Sequence, residues 1–534
     1  MGQKYLFVTG GVLSSLGKGL TAASIAMLLE LRGLKVAMLK LDPYLNVDPG
    51  TMSPFQHGEV YVTDDGVETD LDLGHYSRFS NALISKLSTA TSGQIYETVI
   101  KRERKGDYLG KTVQVIPHIT DEIKNRIIAA GSESTDILIV EIGGTIGDIE
   151  SLPFLEALRQ FRHERPGDCI NLHLTYVPYV RAAGEFKTKP TQHSVQALRA
   201  IGIIPDILLC RSETPLAESH KEKISLFCSI ARDMVFDEPD VTYSIYEVPL
   251  MLHQQNLDEK ICSYLKISTK KPDVSQWQGR VDSLIRAKIA DKPPVKIGIV
   301  GKYLELQDAY KSVFESLSHA AAEIGQRLEI ISIDASSVEG DDFEQNLPLC
   351  DGYLVPGAFG ERGFMGKFHA AKYCREKKIP YFGICMGMQV MCIEFARGVL
   401  GLADAHTTEI NQQTTNPVIA LLSEQKNVTN LGGTMRLGAY PCLIEKNSKA
   451  FEAYGSLKIS ERHRHRYEFN NSYKEPMQKE GLRFSGIHEQ GSLCEIVEVV
   501  NHPWMVGVQF HPEFRSKFLA PHPLFVAFLQ AAAK

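Results

Sequence analysis

A glycine-rich loop close to the N-terminus most constrains the fold of this chain. Residues 5–8 (YLFV) form a short apolar run, residues 10–19 (GGVLSSLGKG) supply the loop, and an apolar pattern with helical spacing covers residues 20–31. Gly33 is well placed to end that helix, and a second apolar run follows at residues 36–39. This order of strand, loop, helix and strand predicts a parallel sheet covered by helices.

The same alternation occurs in both halves of the 534-residue chain. Further strands are predicted at residues 137–140 and 207–210, and a second series begins with a strand at 296–300 and a helix at 310–324. Between the two series, residues 269–294 contain KKPD and DKPP, which are typical of an interdomain linker. We therefore predict an α/β protein with domains at 1–268 and 295–534, joined by a linker at 269–294.

Composition excludes several classes of partner. The formal net charge is -6, which gives no electrostatic basis for binding nucleic acid. No apolar run approaches the roughly 18 residues of a membrane span, and no secretion signal precedes the first predicted strand. The ten cysteines are scattered without metal-like spacing, as in reduced proteins. These features predict a cytoplasmic protein without membrane or nucleic-acid partners.

The N-terminal loop is a candidate phosphate site. Backbone N–H groups at the start of a helix, together with the helix dipole, attract phosphate, and Lys18 adds a positive charge. The strict nucleotide-binding pattern is not met, because Val12 stands at its first glycine position and Gly19 follows the lysine. The alternative is a plain turn whose glycines serve geometry alone.

Two carboxylates are candidate ligands for a divalent metal beside such a phosphate. Asp72 lies in the segment TDLDLG, where strand alternation would place Asp70 and Asp72 on one face. Glu141 follows the strand predicted at residues 137–140, and open α/β sheets bind ligands at that end of a strand. Magnesium prefers such oxygen ligands, although either residue could instead be a solvated surface carboxylate.

A second basic segment could hold another polyphosphate. Residues 187–192 (KTKPTQ) offer two lysines and several hydrogen-bonding side chains, and we interpret them as a proline-stiffened loop. Standing alone, the segment would be better interpreted as a solvated basic loop.

A cysteine in the second half lies in the sequence GICMG, residues 383–387. A strand, a sharp turn and a helix in that order expose a nucleophile at the start of the helix, where the dipole favours the thiolate. The sequence FHPE supplies a candidate base, His511, and a candidate orienting carboxylate, Glu513. A buried structural cysteine is the alternative, but the flanking glycines favour a Cys385–His511–Glu513 triad.

Taken together, these stretches resemble the CTP synthase family over essentially the whole chain, and the second half resembles class I glutamine amidotransferases. The stretches that carry the resemblance are residues 7–19, 40–44 (KLDPY), 48–52 (DPGTM), 106–110 (GDYLG), 141–150 (EIGGTIGDIE) and 187–193 (KTKPTQH). The resemblance implies a phosphate-loop-type parallel sheet domain, similar to dethiobiotin synthetase, followed by an α/β amidotransferase domain.

The resemblance also implies a reaction and its regulation. ATP would phosphorylate O4 of UTP, and ammonia released from glutamine would displace that phosphate to give CTP. Mg²⁺ would accompany ATP, GTP would activate, and CTP would inhibit. The family further implies a homotetramer that could form filaments, and a gate at residues 54–60 on an internal ammonia passage.

Site residues follow from matching positions in the family. ATP would contact Ser15, Leu16, Gly17, Lys18, Gly19, Leu20, Lys40, Asp240 and Val241. UTP would contact Ser14, Lys187, Thr188, Lys189, Pro190, Thr191, Gln192 and Lys223, and CTP would use Asp148, Ile149 and Glu150. Asp72 and Glu141 would hold Mg²⁺. Glutamine would contact Met386, Gly387, Met388, Gln389, Glu409 and Arg466, and Ala358 would lie in the loop that faces the oxyanion.

Ala358 departs from the family pattern. The usual sequence PGGFG is PGAFG at residues 356–360, and alanine disfavours a positive φ. We therefore expect altered glutamine hydrolysis or altered GTP activation. Met386 stands where leucine is usual and should matter less.

Two other functions compete with this one. The first is a related ligase that amidates a carboxylate through an acyl phosphate. The second is a catalytically weak nucleotide-binding protein that mainly assembles into oligomers or filaments. The second is disfavoured by the presence of Cys385, His511, Glu513, Lys18, Asp72 and Glu141.

Overall fold

The computed structural model describes residues 2–47, 50, 52, 58–132, 134–302, 304, 306–421, 435–491 and 493–534. The chain divides into two compact units, Met1–Pro49 with Asp72–Val281, and Gly50–Leu71 with Asp282–Lys534. Residues 48, 49, 51 and 53–57, which include most of the predicted gate and part of the DPGTM stretch, lie outside the described residues. None of the described helices is both long and apolar enough to span a membrane.

The first unit contains a sheet of seven parallel strands. Its strands are β1 Lys4–Gly10, β2 Val36–Asp42, β3 Thr89–Thr91, β4 Ile137–Ile142, β5 Cys169–Tyr176, β6 Ile207–Ser212 and β7 Val235–Pro239. Their order across the sheet is β7-β6-β5-β1-β4-β2-β3, with the N-terminal strand in the middle. All pairs are parallel, so the carboxyl ends of the strands share one edge. The apolar runs that predicted these strands are buried on both faces, as a helix-covered parallel sheet requires.

Helices connect the strands of this unit. They are α1 Lys18–Leu31, α2 Asp72–Phe79, α3 Ser92–Lys105, α4 Thr120–Ala130, α5 Leu152–Glu164, α6 Lys189–Ala200, α7 Glu218–Cys228, α8 Val248–Gln254 and α9 Leu257–Tyr264. A further helix, α10 Ser275–Ile289, begins in this unit and continues past its end at Val281. A short hairpin joins Tyr179–Val180 to Glu185–Phe186. Helix α1 is buried along most of its length, and Gly33 follows its end with φ +90°. The predicted helix at residues 20–31 is therefore confirmed.

The second unit is built on a mixed sheet of nine strands. They are β8 Val295–Gly301, β9 Leu328–Asp334, β10 Gly352–Val355, β11 Tyr381–Ile384, β12 Arg436–Ile444, β13 Lys458–His465, β14 Leu482–His488, β15 Cys494–Val499 and β16 Met505–Val508. Their order is β9-β8-β10-β11-β16-β15-β14-β12-β13. The first five strands are mutually parallel and the remainder pair antiparallel.

Seven helices and two small sheets complete this unit among its described residues. The helices are α11 Lys311–Ile324, α12 Phe343–Asn346, α13 Phe364–Lys377, α14 Met386–Gly398, α15 Lys449–Tyr454, α16 Lys474–Lys479 and α17 Pro523–Ala532. The small sheets comprise His406–Thr407 with Pro417–Leu421 and Tyr467–Phe469, and Tyr61–Val62 with Glu68–Thr69. A short 3-10 turn, Pro512–Arg515, follows β16.

Three segments differ from the sequence-based prediction. Residues 269–294 contain helix α10, on which Trp277, Val281 and Leu284 are buried at helical spacing. Asp72 begins helix α2 and is not part of an extended segment. The predicted loop at residues 187–192 is mostly the first turn of α6, where the fixed φ of Pro190 suits the start of a helix. The functional domain bounds stay a prediction.

Candidate active sites

The glycine-rich loop connects β1 to α1 in the first unit. Val12, Ser15 and Gly17 have positive φ angles of 80°, 55° and 101°, so the chain turns sharply before the helix. Lys18 opens the helix with its side chain buried, and Nζ donates a hydrogen bond to the Gly144 carbonyl at 2.8 Å. Burial lowers the pKa of Lys18, the nearby Glu141 counters this effect, and Lys40 adds to it.

Charged side chains converge at the carboxyl edge of this sheet. Lys40, on β2, donates to Glu141 Oε1 at 3.0 Å and forms an ion pair with Asp72, and Asp42 Oδ1 lies 3.8 Å from the same Nζ. Tyr76 donates to the other oxygen of Glu141. Burial alone would lower the pKa of Lys40, but the three carboxylates outweigh it and hold that pKa well above its usual value. The sheet thus brings together the two predicted metal ligands and two predicted ATP lysines.

Asp72 and Glu141 face a single cationic position, because both carboxylates contact one ammonium nitrogen. No group of three or more His, Cys, Asp or Glu side chains in the described parts of the chain could hold a metal unaided. Mg²⁺ is commonly held by one or two carboxylates, with phosphate oxygens and waters completing its shell. The pair fits such an ion when it arrives with a polyphosphate.

The basic segment beside helix α6 is firmly held at its start. The hydroxyl oxygens of Thr191 and of Thr175, on β5, are 2.6 Å apart and share a hydrogen bond. The Gln192 side chain donates to the Thr188 hydroxyl at 3.1 Å. Lys187 is exposed and paired with Glu185. Lys187 lowers the pKa of Glu185 most, with a smaller contribution from Lys223. Lys187 and Lys223 therefore both lie near Glu185. Lys189 and Pro190 follow Lys187 in the first turn of α6.

The remaining predicted nucleotide contacts follow strand ends at the same edge. Ser14 is exposed in the loop after β1, and Asp148, Ile149 and Glu150 are exposed after β4. Asp148 accepts a hydrogen bond from the Thr145 amide at 2.7 Å. Asp240 and Val241 follow β7, and Asp240 pairs with Arg211 at 2.7 Å.

In the second unit, Cys385 lies at the sharp turn between β11 and α14. Its backbone angles are φ 53° and ψ −105°, a strained conformation of the kind found at nucleophile elbows. A Cβ added at Gly387 would lie 2.1 Å from the Val355 carbonyl oxygen, and one at Gly383 would lie 2.6 Å from the Gly387 carbonyl carbon. Both glycines are therefore required for the turn to pack against its neighbours.

His511 and Glu513 lie beside this cysteine. Nδ1 of His511 is 2.7 Å from Glu513 Oε1, and its Nε2 is buried. Gly357 lies against both functional side chains, because a Cβ there would be 3.4 Å from Cys385 Cβ and 2.8 Å from His511 Cε1. Burial would lower the pKa of His511, but Glu513 and Cys385 raise it to about 10. The imidazole is thus protonated at neutral pH.

A cavity of about 160 Å³ adjoins the cysteine. Cys385, His511, Glu513 and Arg464 contribute to its lining, together with Glu59. Gln509 donates to Cys385 Sγ at 3.7 Å, and Sγ lies 3.9 Å from the Arg464 carbonyl oxygen. The cavity can admit a small polar substrate to the thiol.

The expected strain at Ala358 does not occur. Ala358 is absent from the residues with positive φ, whereas Gly360 has φ +75°. Ala358 is buried and packs into the same apolar core as Met386. Lys302 Nζ donates to the Phe359 carbonyl at 2.7 Å, which helps to fix the loop. The reason given for altered glutamine hydrolysis or altered GTP activation is therefore wrong.

The predicted glutamine contacts surround the same loop and elbow. Gly387 lies within the first turn of α14, and Met388 is fully buried there. Gln389 donates to the Tyr467 carbonyl at 3.0 Å. Glu409 accepts from the Gly360 amide at 2.9 Å; burial raises its pKa, and Arg466 is among the groups that oppose this rise. All of these residues belong to the second unit.

Sequence reasoning missed three residues that contact these sites. Tyr76 holds Glu141, Gln509 contacts the Cys385 thiol, and Lys367 contacts Met386. None belongs to a recognisable spacing pattern. Only Gln509 has a signal in the sequence, since it ends the largely apolar run 504–509 that precedes FHPE.

The fold and the two sites define a class: a parallel phosphate-loop sheet joined to a cysteine-elbow α/β amidotransferase. Residues 4–267 match the family described as CTP synthase N-terminus, and residues 305–531 match glutamine amidotransferase class-I. Together these matches cover most of the chain.

Full-length relatives narrow the class to one family. CTP synthase of Protochlamydia amoebophila is 62% identical over 99% of this chain and 98% of the relative. CTP synthase of Chlamydia felis is 60% identical over 100% of this chain and 98% of the relative. A solved structure of the Trypanosoma brucei CTPS glutaminase domain with bound acivicin is 40% identical, with a TM-score of 0.43, and covers 45% of this chain and 94% of that domain. The chain belongs to the CTP synthase family, and it is therefore a glutamine-dependent carbon–nitrogen ligase.

Proposed function

We propose that this enzyme converts UTP to CTP, using ATP to activate the uracil and ammonia released from glutamine. The observation that carries the proposal is the presence in one chain of two sites. Lys18, Lys40, Asp72 and Glu141 meet at one sheet edge, and Cys385 lies with His511 and Glu513 at an elbow. The first set suits phosphoryl transfer and the second suits amide cleavage.

In the glutaminase site, Cys385 Sγ attacks the side-chain carbonyl carbon of glutamine. Cys385 has given its thiol proton to His511 Nε2 before this attack, in keeping with the raised pKa of His511, and the imidazolium delivers that proton to the departing nitrogen, so that ammonia leaves and a thioester remains. Water then attacks the thioester, releases glutamate and restores the thiol. Glu513 holds the His511 ring through Nδ1. The proposed glutamine contacts are Met386, Gly387, Met388, Gln389, Glu409 and Arg466, with Ala358 in the oxyanion loop.

In the ligase site, O4 of UTP attacks the γ-phosphorus of ATP and ADP leaves. Ammonia then attacks C4 of the 4-phosphorylated UTP, the C4–O bond breaks with its electron pair leaving on phosphate, and the added nitrogen loses a proton, giving CTP. Lys18 and Lys40 would neutralise phosphate charge, and Asp72 and Glu141 would hold Mg²⁺, which supplies further positive charge to the polyphosphate. The buried setting strengthens these charge interactions.

The other ligand positions rest on the family resemblance and on their location. Ser15 to Leu20, Asp240 and Val241 would contact ATP, and Ser14, Lys187 to Gln192 and Lys223 would contact UTP. Asp148, Ile149 and Glu150 would bind CTP as a feedback inhibitor. Support for these positions comes from their shared placement after strand ends of one parallel sheet.

We further propose that ammonia passes internally to the ligase site, since ammonia free in water at neutral pH would become protonated and lose its nucleophilic lone pair. Glu59 and Val60, at the end of the predicted gate, line the cavity that contains Cys385, and this supports a passage starting there. A homotetramer, filament formation and GTP activation are proposed from the family alone.

One set of assays tests the proposal. The protein is incubated with UTP, ATP and Mg²⁺, with glutamine or ammonium as nitrogen donor, and nucleotide products are separated. CTP should form with both donors, and Cys385→Ala should retain only the ammonium reaction. Cys350→Ala, which changes a partly exposed cysteine, is the matched control and should retain both. If no CTP forms with glutamine and none forms with ammonium, UTP is not the acceptor. Loss of both reactions in Cys385→Ala would contradict the proposal that glutamine hydrolysis and CTP formation use separate sites.

A further inference from the structure

Helix α13 carries a lysine inside the apolar core of the amidotransferase unit. Lys367 is 0% exposed. Phe364 and Phe368, on the same helix, belong to a buried apolar cluster that also contains Met386. Its Nζ has one hydrogen-bond acceptor among the described residues, the thioether sulfur of Met386 at 3.7 Å. An ammonium group offers three donors and a thioether is a weak acceptor, so the contact leaves a charged lysine poorly compensated.

The residue that Lys367 contacts is next to the nucleophile. Met386 is the first residue of α14 and immediately follows Cys385. A buried amine at this place therefore lies near the elbow residue that becomes negatively charged when its thiol loses a proton. Packing alone does not require a lysine at this position, because methionine has a similar length and no charge to desolvate.

Four charged or ionisable groups from separate segments interact electrostatically with Lys367. Lys302, after β8, and Arg362, before α13, disfavour its protonated form. Cys385, at the elbow, and Glu409, after the short strand His406–Thr407, favour it. Burial is the largest influence and, with Lys302, lowers the pKa of Lys367 to about 7.

Of the two groups that favour the protonated lysine, Cys385 has the larger effect. Glu409 is already engaged by the Gly360 amide at 2.9 Å, and burial raises the pKa of its carboxyl group. Interaction between two charges is mutual, so an ammonium at Lys367 must favour negative charge on the thiol to the same extent.

We propose that Lys367 is a positioning residue of the glutaminase site, which acts through Cys385 by stabilising its thiolate whenever the lysine is protonated. The inference rests on the proposed role of Cys385. It adds a pH-responsive charge to a triad that otherwise consists of Cys385, His511 and Glu513.

Lys367→Met tests this charge while preserving the length of the side chain. The measurement is kcat/KM for glutamine hydrolysis from about pH 6 to about pH 9, reported as the ratio of wild type to variant. The ratio should be about 10 at the acidic end and fall towards 1 at the basic end, because the ammonium is lost as pH rises. Ammonium-supported CTP formation should be equal in the two proteins throughout.

Two further variants separate charge from structure. Lys372→Met, on the same helix and partly exposed, should match wild type at every pH. Lys367→Gln should behave as Lys367→Met does, which provides a second uncharged variant if methionine impairs folding. A ratio that does not vary with pH, or an equal loss of the glutamine and ammonium reactions, would overturn the inference. Failure of wild type to hydrolyse glutamine, with the ammonium reaction intact, would instead refute the proposed role of Cys385.

Discussion

Glu513 Oε1 lies 2.7 Å from His511 Nδ1, and both side chains are buried. The two residues flank Pro512, the first residue of a 3-10 turn that comes shortly after the strand end at Val508. Because Nδ1 is held by the carboxylate, Nε2 is the ring nitrogen that remains for the thiol and the substrate. This pairing fixes the orientation and the charge of the base.

Glu513→Gln should separate these two effects. The amide oxygen can still accept from Nδ1–H, but the negative charge that raises the pKa of His511 is lost. We expect glutamine-supported CTP formation to fall roughly 10²-fold while ammonium-supported formation is unchanged. Glu489→Gln, at an exposed ion pair with Lys458, is the control and should show neither effect. An unimpaired glutamine reaction in Glu513→Gln would argue against the triad.

The same pair predicts a pH dependence of stability. The pKa of His511 is raised to about 10 in the fold, from a value near 6.5 in an unfolded chain. A raised pKa stabilises the fold fully below the unfolded value, and the stabilisation is lost as pH rises through the folded value. The Tm difference between wild type and Glu513→Gln should therefore be largest near pH 6.5 and shrink towards zero near pH 10. Thermal unfolding across this range measures it; a difference that grows with pH would contradict the assignment.

The sequence predicted features whose chemistry or packing imposes a local pattern. Apolar runs marked the strands that are buried on both faces, and glycine spacing marked the elbow. Gly387 must lack a side chain because the Val355 carbonyl oxygen occupies that space. Such requirements are visible within a few residues of sequence, which explains why Cys385 could be selected from ten cysteines.

Residues held by distant segments could not be predicted in this way. Tyr76 and Lys367 lie on helices whose local sequences resemble many surface helices, and their partners Glu141 and Met386 lie 65 and 19 residues away. Asp72 was assigned to an extended segment from its alternation with Asp70. The segment is helical instead, because a helix buries both Leu73 and Tyr76 of α2, which are three residues apart and lie on one face.

Tyr76→Phe should weaken the ligase reaction alone. The substitution removes the donor to Glu141 Oε2, within a site where Tyr76 is fully buried. Losing one hydrogen bond to a buried charge costs about 1–3 kcal/mol, so ammonium-supported CTP formation should fall about tenfold or more. Glutamine hydrolysis measured alone should be unchanged. Titration of Mg²⁺ should show a higher half-saturating concentration, because the orientation of Glu141 is less restricted.

Tyr473→Phe provides the matched control for that experiment. Its hydroxyl donates to Asn416 at 3.4 Å, a weak contact on a half-buried residue of the second unit. Neither CTP formation nor its Mg²⁺ dependence should change. A Tyr76→Phe enzyme with normal Mg²⁺ dependence would show that Glu141 is held in place without the tyrosine.

Gly387→Ala should disrupt the elbow by steric conflict. The added methyl would lie 2.1 Å from the Val355 carbonyl oxygen, a backbone atom that cannot swing aside as a flexible side chain could. We expect unfolding free energy to fall by about 2 kcal/mol or more, with loss of the glutamine reaction. Gly279→Ala is the control, since nothing lies within 4 Å of an added Cβ at that exposed helical position. Alanine has the higher helix propensity, so this control should be neutral or more stable by up to ~1 kcal/mol. Chemical denaturation measures the free energy of unfolding of both variants. A Gly387→Ala protein as stable as wild type would show that β10 and the elbow can move apart at little cost in free energy.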